Sequence, residues 1–144
     1  MVGGGPAGLA AAIAVAETGA PTALIARRAP YGDNRTTALL GGSVDLLEQL
    51  QVWPHCQDHA APLLTMRLVD DTGRLIRAPE VRFSCAEIGL DRFGFNIENR
   101  LLIAALEQRA TEIAGLTRFD DEADTISAQE TEIVIHTSQG HSIS

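Results

Sequence analysis

Residues 3–12 read GGGPAGLAAA, and this stretch decides the fold. Its glycines fall as Gly3-x-Gly5-x-x-Gly8, directly ahead of an apolar run. The first glycine permits a tight turn, the second lets backbone approach a pyrophosphate, and the third lets a helix pack closely on its strand. Backbone N–H groups and the positive dipole end of that helix then face an anion. Pro6 suits the first helical turn, where its missing N–H matters least. From Ala7 to Ala16 the chain is nearly all Ala, Leu, Ile and Val, the composition of a helix buried against a sheet. Thr18-Gly19-Ala20 stops the helix, and residues 21–26, PTALIA, predict a buried strand.

Two positions depart from this pattern. A strand should precede the glycine loop, and Met1 and Val2 alone stand there. The second strand should end on an acidic residue about 20 positions after the loop, which binds ribose hydroxyls. The chain has Ala26 there, followed by Arg27 and Arg28, and Asp33 lies too deep in the next loop to be taken as a substitute. The two arginines either face a 2′-phosphate, as in NADP, or form a solvated basic pair.

The 144 residues suffice for one domain with a real core and not for two. A formal net charge of −8, with no basic run longer than Arg27-Arg28, argues against nucleic acid and anionic membrane surfaces as partners. No stretch reaches the ~18 apolar residues of a membrane span. The apolar N-terminus lacks preceding basic residues, so it does not read as a signal peptide, and the cytoplasm is the expected location. Cys56 and Cys85 stand far apart without a CxxC pattern, as two buried or partly buried thiols would. His55, Cys56 and His59 have a spacing that could gather a metal, yet Pro54 and polar neighbours predict a loop and no fourth ligand is evident. No metal site is expected.

Downstream, residues 27–42 read as a long loop. Ser43 caps a short helix over 44–52, with Val44, Leu47 and Leu50 along one face, ended by Trp53-Pro54. Residues 64–69 alternate apolar and polar, Asp70-Asp71-Thr72-Gly73 reads as a turn, and 74–78 as the returning strand of a hairpin. Residues 81–86 and 95–97 add short strands. Asn99 caps a helix over 100–113 that buries Leu101, Leu102, Ala105, Leu106 and Ala110. Strands follow at 116–119, 123–128 and 132–137, then a turn at Ser138-Gln139-Gly140, and residues 141–144 begin another strand. A βαβ opening followed by a hairpin, a helix and a meander predicts an α/β fold with an antiparallel insertion.

With these pieces in order, the chain resembles the N-terminal part of the FAD-dependent aromatic hydroxylases, in particular their ubiquinone-biosynthesis branch. Three segments carry the resemblance: GGGPAGLAAAIAVAETG with TALIA behind it, NRTTALLGGSVDLLEQLQVWP, and FGFNIENRLLIAALEQRA. Together they span most of residues 3–110, and the second and third are far more specific than the glycine loop. The resemblance implies a Rossmann-like βαβ FAD-binding domain over 1–144, with 64–97 opening an antiparallel, substrate-side insertion. It implies that Gly3, Gly5 and Gly8, with Pro6 and Ala7 between them, approach the FAD pyrophosphate. It further implies that Arg35 lies along the cofactor near phosphate or the flavin end, and that Arg100 contacts the phosphate or ribityl region. A guanidinium fork suits phosphate oxygens in both cases. Taken alone, Arg35 could equally be a solvated loop charge, Arg100 an exposed first-turn residue, and Glu98 either its partner or a residue facing water.

In that family NAD(P)H reduces FAD, and O2 supplies an oxygen atom to a small hydrophobic aromatic substrate, here a polyprenyl phenol. The cofactor carries the chemistry, so no side-chain nucleophile is expected, and Ser43 lacks a GxSxG setting. The family's later Gly-Asp and Asp-Gly cofactor motifs have no counterpart before Ser144, so the chain reads as a truncated domain, about the first third of such an enzyme, and inactive in isolation. Alternatives are an NAD(P)-linked or flavin oxidoreductase of another family, or a non-catalytic nucleotide-binding fragment. A lipid-like substrate leaves open peripheral association with the inner membrane or with a biosynthetic complex.

Overall fold

The computed structural model describes residues 1–28 and 34–144. Asp33 lies outside the described residues. The chain opens with helix α1 (Pro6–Glu17) and strand β1 (Thr22–Ile25), followed by β2 (Thr36–Leu40) and α2 (Gly41–Gln49). Two 3-10 turns, Trp53–His55 and Gln57–His59, lead to β3 (Ala61–Leu63), β4 (Thr65–Leu68) and β5 (Val81–Ser84). A further 3-10 turn, Cys85–Ile88, precedes β6 (Gly94–Glu98) and the long helix α3 (Asn99–Glu112). The chain then runs through β7 (Leu116–Phe119), β8 (Ala123–Ala128), β9 (Ile133–Thr137) and β10 (Ser142–Ile143).

The expected α/β architecture is present, and its parallel layer sits at the glycine loop. β1 pairs in parallel with β7, from Thr22↔Leu116 to Ile25↔Phe119. On the other side of β1, Val2 bridges Ile25 in parallel, the Met1 carbonyl accepts the Ile25 N–H at 2.9 Å, and the Gly3 N–H reaches the Ile25 carbonyl at 3.0 Å. Met1 and Val2 therefore occupy the place of the strand that should precede the loop. α1 and α3 pack together, burying Leu9, Ile13, Leu102 and Leu106 against Leu24 of β1. Among the described residues three antiparallel sheets complete the fold: β2-β6-β3, β4-β5 and β10-β9-β8.

Several boundaries differ from the sequence reading. The supposed loop over 27–42 contains β2, which pairs with β6 along its whole length. Helix α2 begins at Gly41 rather than after Ser43, because the Leu40 backbone is extended and serves as N-cap while the Gly41 N–H is held by the Phe93 carbonyl at 3.2 Å. The returning strand of the hairpin is 81–84, not 74–78. Asp70 explains the shift: its Oδ1 accepts from the Thr72 N–H and hydroxyl, its Oδ2 accepts from the Ala78 N–H at 3.0 Å, and residues 70–80 are gathered into one loop. Asn99 is the first residue of α3 instead of its cap, since its side-chain oxygen accepts the Thr37 hydroxyl and Glu98 takes the cap position. Among the described residues no helix is long and apolar enough to cross a membrane.

Candidate functional site

The glycine loop runs straight from the Val2 bridge into α1. Gly3 adopts φ +110°, and Gly5 is the extended N-cap, with Pro6 opening the helix. Gly8 packs so close to the Gly3 carbonyl that a Cβ there would overlap the oxygen. The loop thus folds back on the first helical turn, a path open only to glycine at position 8. Among the described residues no side chain caps this turn, and no acidic residue lies within it.

Among the described residues, cavities flank the loop on two sides. One, of about 250 Å³, is bordered by Gly3, Gly4, Ala26, Arg27, Asp121 and Glu122. The other, of about 260 Å³, is lined mainly by apolar groups, among them Pro6, Ala7, Leu39, Leu47, Leu102 and Leu106. In the first, Arg27 and Glu122 form an ion pair at 2.5 Å. Asp120 Oδ1 accepts the Arg28 N–H at 2.7 Å. Asp121 is buried and accepts from the Glu122 N–H, the Ser138 hydroxyl and the Gln139 N–H, with His141 Nδ1 3.2 Å away. Burial drives its carboxyl upward, but hydrogen bonds from Thr137, His141, Glu122 and Ser138 outweigh this and hold it well below the usual carboxylate range. The Asp120-Asp121-Glu122 run falls between two expected strands and matches no motif in the sequence.

Pairing of β2 with β6 brings the two arginine segments together. In register Thr36 faces Glu98, and the Asn99 N–H donates to the Arg35 carbonyl at 3.0 Å. Arg35 and Arg100 are both exposed, at the same end of this sheet. Arg100 Nε pairs with Glu98 Oε2 at 2.5 Å, which decides the open reading of Glu98. That contact lowers the Glu98 carboxyl from its ordinary value and raises the Arg100 guanidinium. Of the residues with metal-like spacing, Cys56 is buried with Sγ toward the Val52 carbonyl and its thiol pushed up by burial, while His55 Nε2 lies 3.6 Å from Glu112; among the described residues no group of three such side chains could hold a metal ion. Elsewhere, Nε and Nη2 of the largely buried Arg118 lack partners among the described residues and border a cavity of about 170 Å³. That is room enough for water.

No curated protein sequence matches the chain. Its fold recurs in solved structures at low identity. The Diels–Alderase PyrE3 of the pyrroindomycin pathway aligns at TM-score 0.78 and 20% identity, over 99% of this chain and 29% of that one. The p-nitrophenol 4-monooxygenase PnpA from Pseudomonas putida DLL-E4 aligns at 0.76 and 15%, over 98% and 37%. The flavin-dependent monooxygenase PieE, solved with FAD and substrate, aligns at 0.73 and 23%, over 98% and 27%. The chain thus spans 27% to 37% of the length of these three proteins. The mixed parallel and antiparallel sheets are those of the FAD-binding domain fold found in flavoprotein monooxygenases. The sequence profile described as FAD binding domain matches residues 1–141, and the chain belongs to that family.

Proposed function

We propose that the chain is the FAD-binding part of a monooxygenase that hydroxylates an aromatic ring, with NAD(P)H as reductant and O2 as co-substrate. The observation that carries the proposal is a glycine loop folded tightly onto the first turn of a helix, Gly8 against the Gly3 carbonyl, in a chain of the FAD binding domain family. The residues present fit the cofactor: the space a Cβ would fill at Gly8 is taken by the Gly3 carbonyl, and the first turn offers N–H donors to a pyrophosphate. When bound, FAD supplies hydride acceptance from the nicotinamide and activation of O2.

Gly3, Gly5 and Gly8 bring backbone to the pyrophosphate, with Pro6 and Ala7 forming the turn beneath it. Arg35 and Arg100 meet the phosphate and ribityl stretch. Arg100 can exchange its exposed pairing with Glu98 for a phosphate oxygen, since exposed pairs hold weakly. The apolar walls at Leu39, Leu47 and Leu102 keep water from one flank of the loop. We assign the substrate as a hydrophobic phenol of the polyprenyl type, reached from the side of residues 64–97, with the enzyme peripheral to the inner membrane. Its support is the NRTTALLGGS and FNIENRLL segments, and one fold neighbour bears the name of a phenol monooxygenase. Another fold neighbour is named a Diels–Alderase, which favours a second reading in which the same scaffold serves a reaction without hydroxylation.

The test is an absorbance spectrum of the purified chain after incubation with FAD and gel filtration. Retained flavin bands support the proposal, and in their absence it fails for this chain. Arg35→Ala and Arg100→Ala should each weaken FAD binding roughly tenfold, the scale of a hydrogen bond to a charged group. Unchanged flavin occupancy in both variants removes those residues from the site. NADH or NADPH consumption that depends on added phenol and O2, in a flavin-loaded protein carrying this domain, separates hydroxylation from the second reading.

A further inference from the structure

The strand end that should hold ribose carries a methyl group, and a different carboxylate stands beside it. The Ala26 N–H donates to the Phe119 carbonyl at 3.0 Å, so the ends of β1 and β7 lie side by side and Asp120-Asp121-Glu122 continues next to Arg27-Arg28. We propose that Glu122 supplies the ribose-binding carboxylate that Ala26 lacks, taking the 2′- and 3′-hydroxyls of the adenosine half of FAD. The proposal rests on the FAD reading above.

Among the described residues three carboxylates border this corner, and their commitments separate them. Asp120 holds the Arg28 N–H. Asp121 is 3% exposed and engaged by the Glu122 N–H, Ser138, Gln139 and His141. Glu122 has a side chain 50% exposed on the same cavity as Gly3, Gly4 and Ala26, and its partner there is Arg27, itself 68% exposed. An ion pair between two exposed side chains yields readily to a ligand. Vicinal ribose hydroxyls are donors, and a carboxylate accepts both in charge-assisted hydrogen bonds. Arg27 then keeps Glu122 at the rim of the cavity and does not itself seek a phosphate. A 2′-phosphate would face Glu122 and Asp121 together, so the corner selects unphosphorylated adenosine ribose over that of NADP.

The experiment measures binding of FAD, ADP and 2′,3′-dideoxy-ADP to the 144-residue chain, to Glu122→Gln and to Ala26→Glu/Glu122→Gln. Flavin fluorescence quenching reads FAD, and calorimetry reads the diphosphates. The wild-type chain should prefer ADP to its dideoxy analogue about tenfold, the scale of hydrogen bonds to a charged acceptor. Glu122→Gln should abolish most of that preference and weaken FAD by a similar factor, and Ala26→Glu should restore both. Because the preference is a ratio within one protein, a general loss of stability does not imitate its loss. A Glu122→Gln variant that keeps the full preference, in a chain that binds FAD, overturns the assignment of Glu122 alone. A wild-type chain that binds neither FAD nor ADP overturns that assignment and the FAD reading together.

Discussion

At Gly8 the whole approach of loop to helix depends on one missing carbon. Gly8→Ala forces the new Cβ onto the Gly3 carbonyl, and the loop must move. The variant should lose roughly 1–3 kcal/mol, the usual cost of overpacking, together with its capacity to retain FAD. Urea unfolding and the flavin spectrum measure the two effects. Asp121 acts on stability through pH. Its carboxyl titrates below the ordinary aspartate range in the folded chain, so the folded state binds this proton less readily than the unfolded one. The stabilisation is full above about pH 4, where an unfolded aspartate is ionised, and is lost as pH falls toward the lower folded value. Asp121→Asn should therefore flatten the acid limb of a stability–pH profile between about pH 2 and 5, as read from urea midpoints. A variant with the acid limb unchanged would show that Asp121 does not set it.

Among the elements, α3 does most to join the others. Arg109 on its last turns is 14% exposed, donates from Nε to the Leu50 carbonyl at the end of α2, and pairs with Glu17 at the end of α1 at 2.7 Å. One guanidinium thereby satisfies a carbonyl at the α2 C-terminus and neutralises a carboxylate at the end of α1. Arg109→Met keeps the aliphatic stem but orphans those acceptors, and should cost about 2 kcal/mol by chemical denaturation. α1 and α3 were legible in the sequence because long apolar runs bury a face, with Leu9, Ile13, Leu102 and Leu106 all nearly inaccessible. β2 was not, because Leu39 is its one buried residue and a five-residue strand with one buried position has no readable period. The hairpin was half legible: β4 stood where the alternation put it. Its partner slipped because Asp70 binds the Ala78 backbone, a side-chain contact over 8 residues that no turn rule anticipates. The candidate site shows the same split. The glycine loop was plain from spacing, whereas Glu122 reaches the corner through the β1–β7 pairing, nearly a hundred residues from its neighbour Arg27.

For the molecule as a whole, the parallel layer and the antiparallel sheets place very different demands on the chain. The β4–β5 sheet leaves Leu68, Met66, Val81 and Phe83 exposed, and Leu75 and Ile76 stand out in its loop. Apolar surface of this extent on a single arm is characteristic of interaction surfaces. The parallel layer at the glycine loop and the β2–β6 pairing, by contrast, are closed by contacts between residues far apart in sequence: Thr22 with Leu116, and Thr36 with Glu98. Such closures are entropically slow to find, whereas helices form within their own turns. The pairing of β2 with β6, which sets Arg35 beside Asn99, therefore belongs to the late phase of folding. In stopped-flow refolding, far-ultraviolet circular dichroism should recover ahead of the ability to quench added flavin, and FAD present from the start should slow unfolding more than it speeds folding. The cofactor platform would then be the last part of this chain to exist after synthesis and the first to be lost under stress.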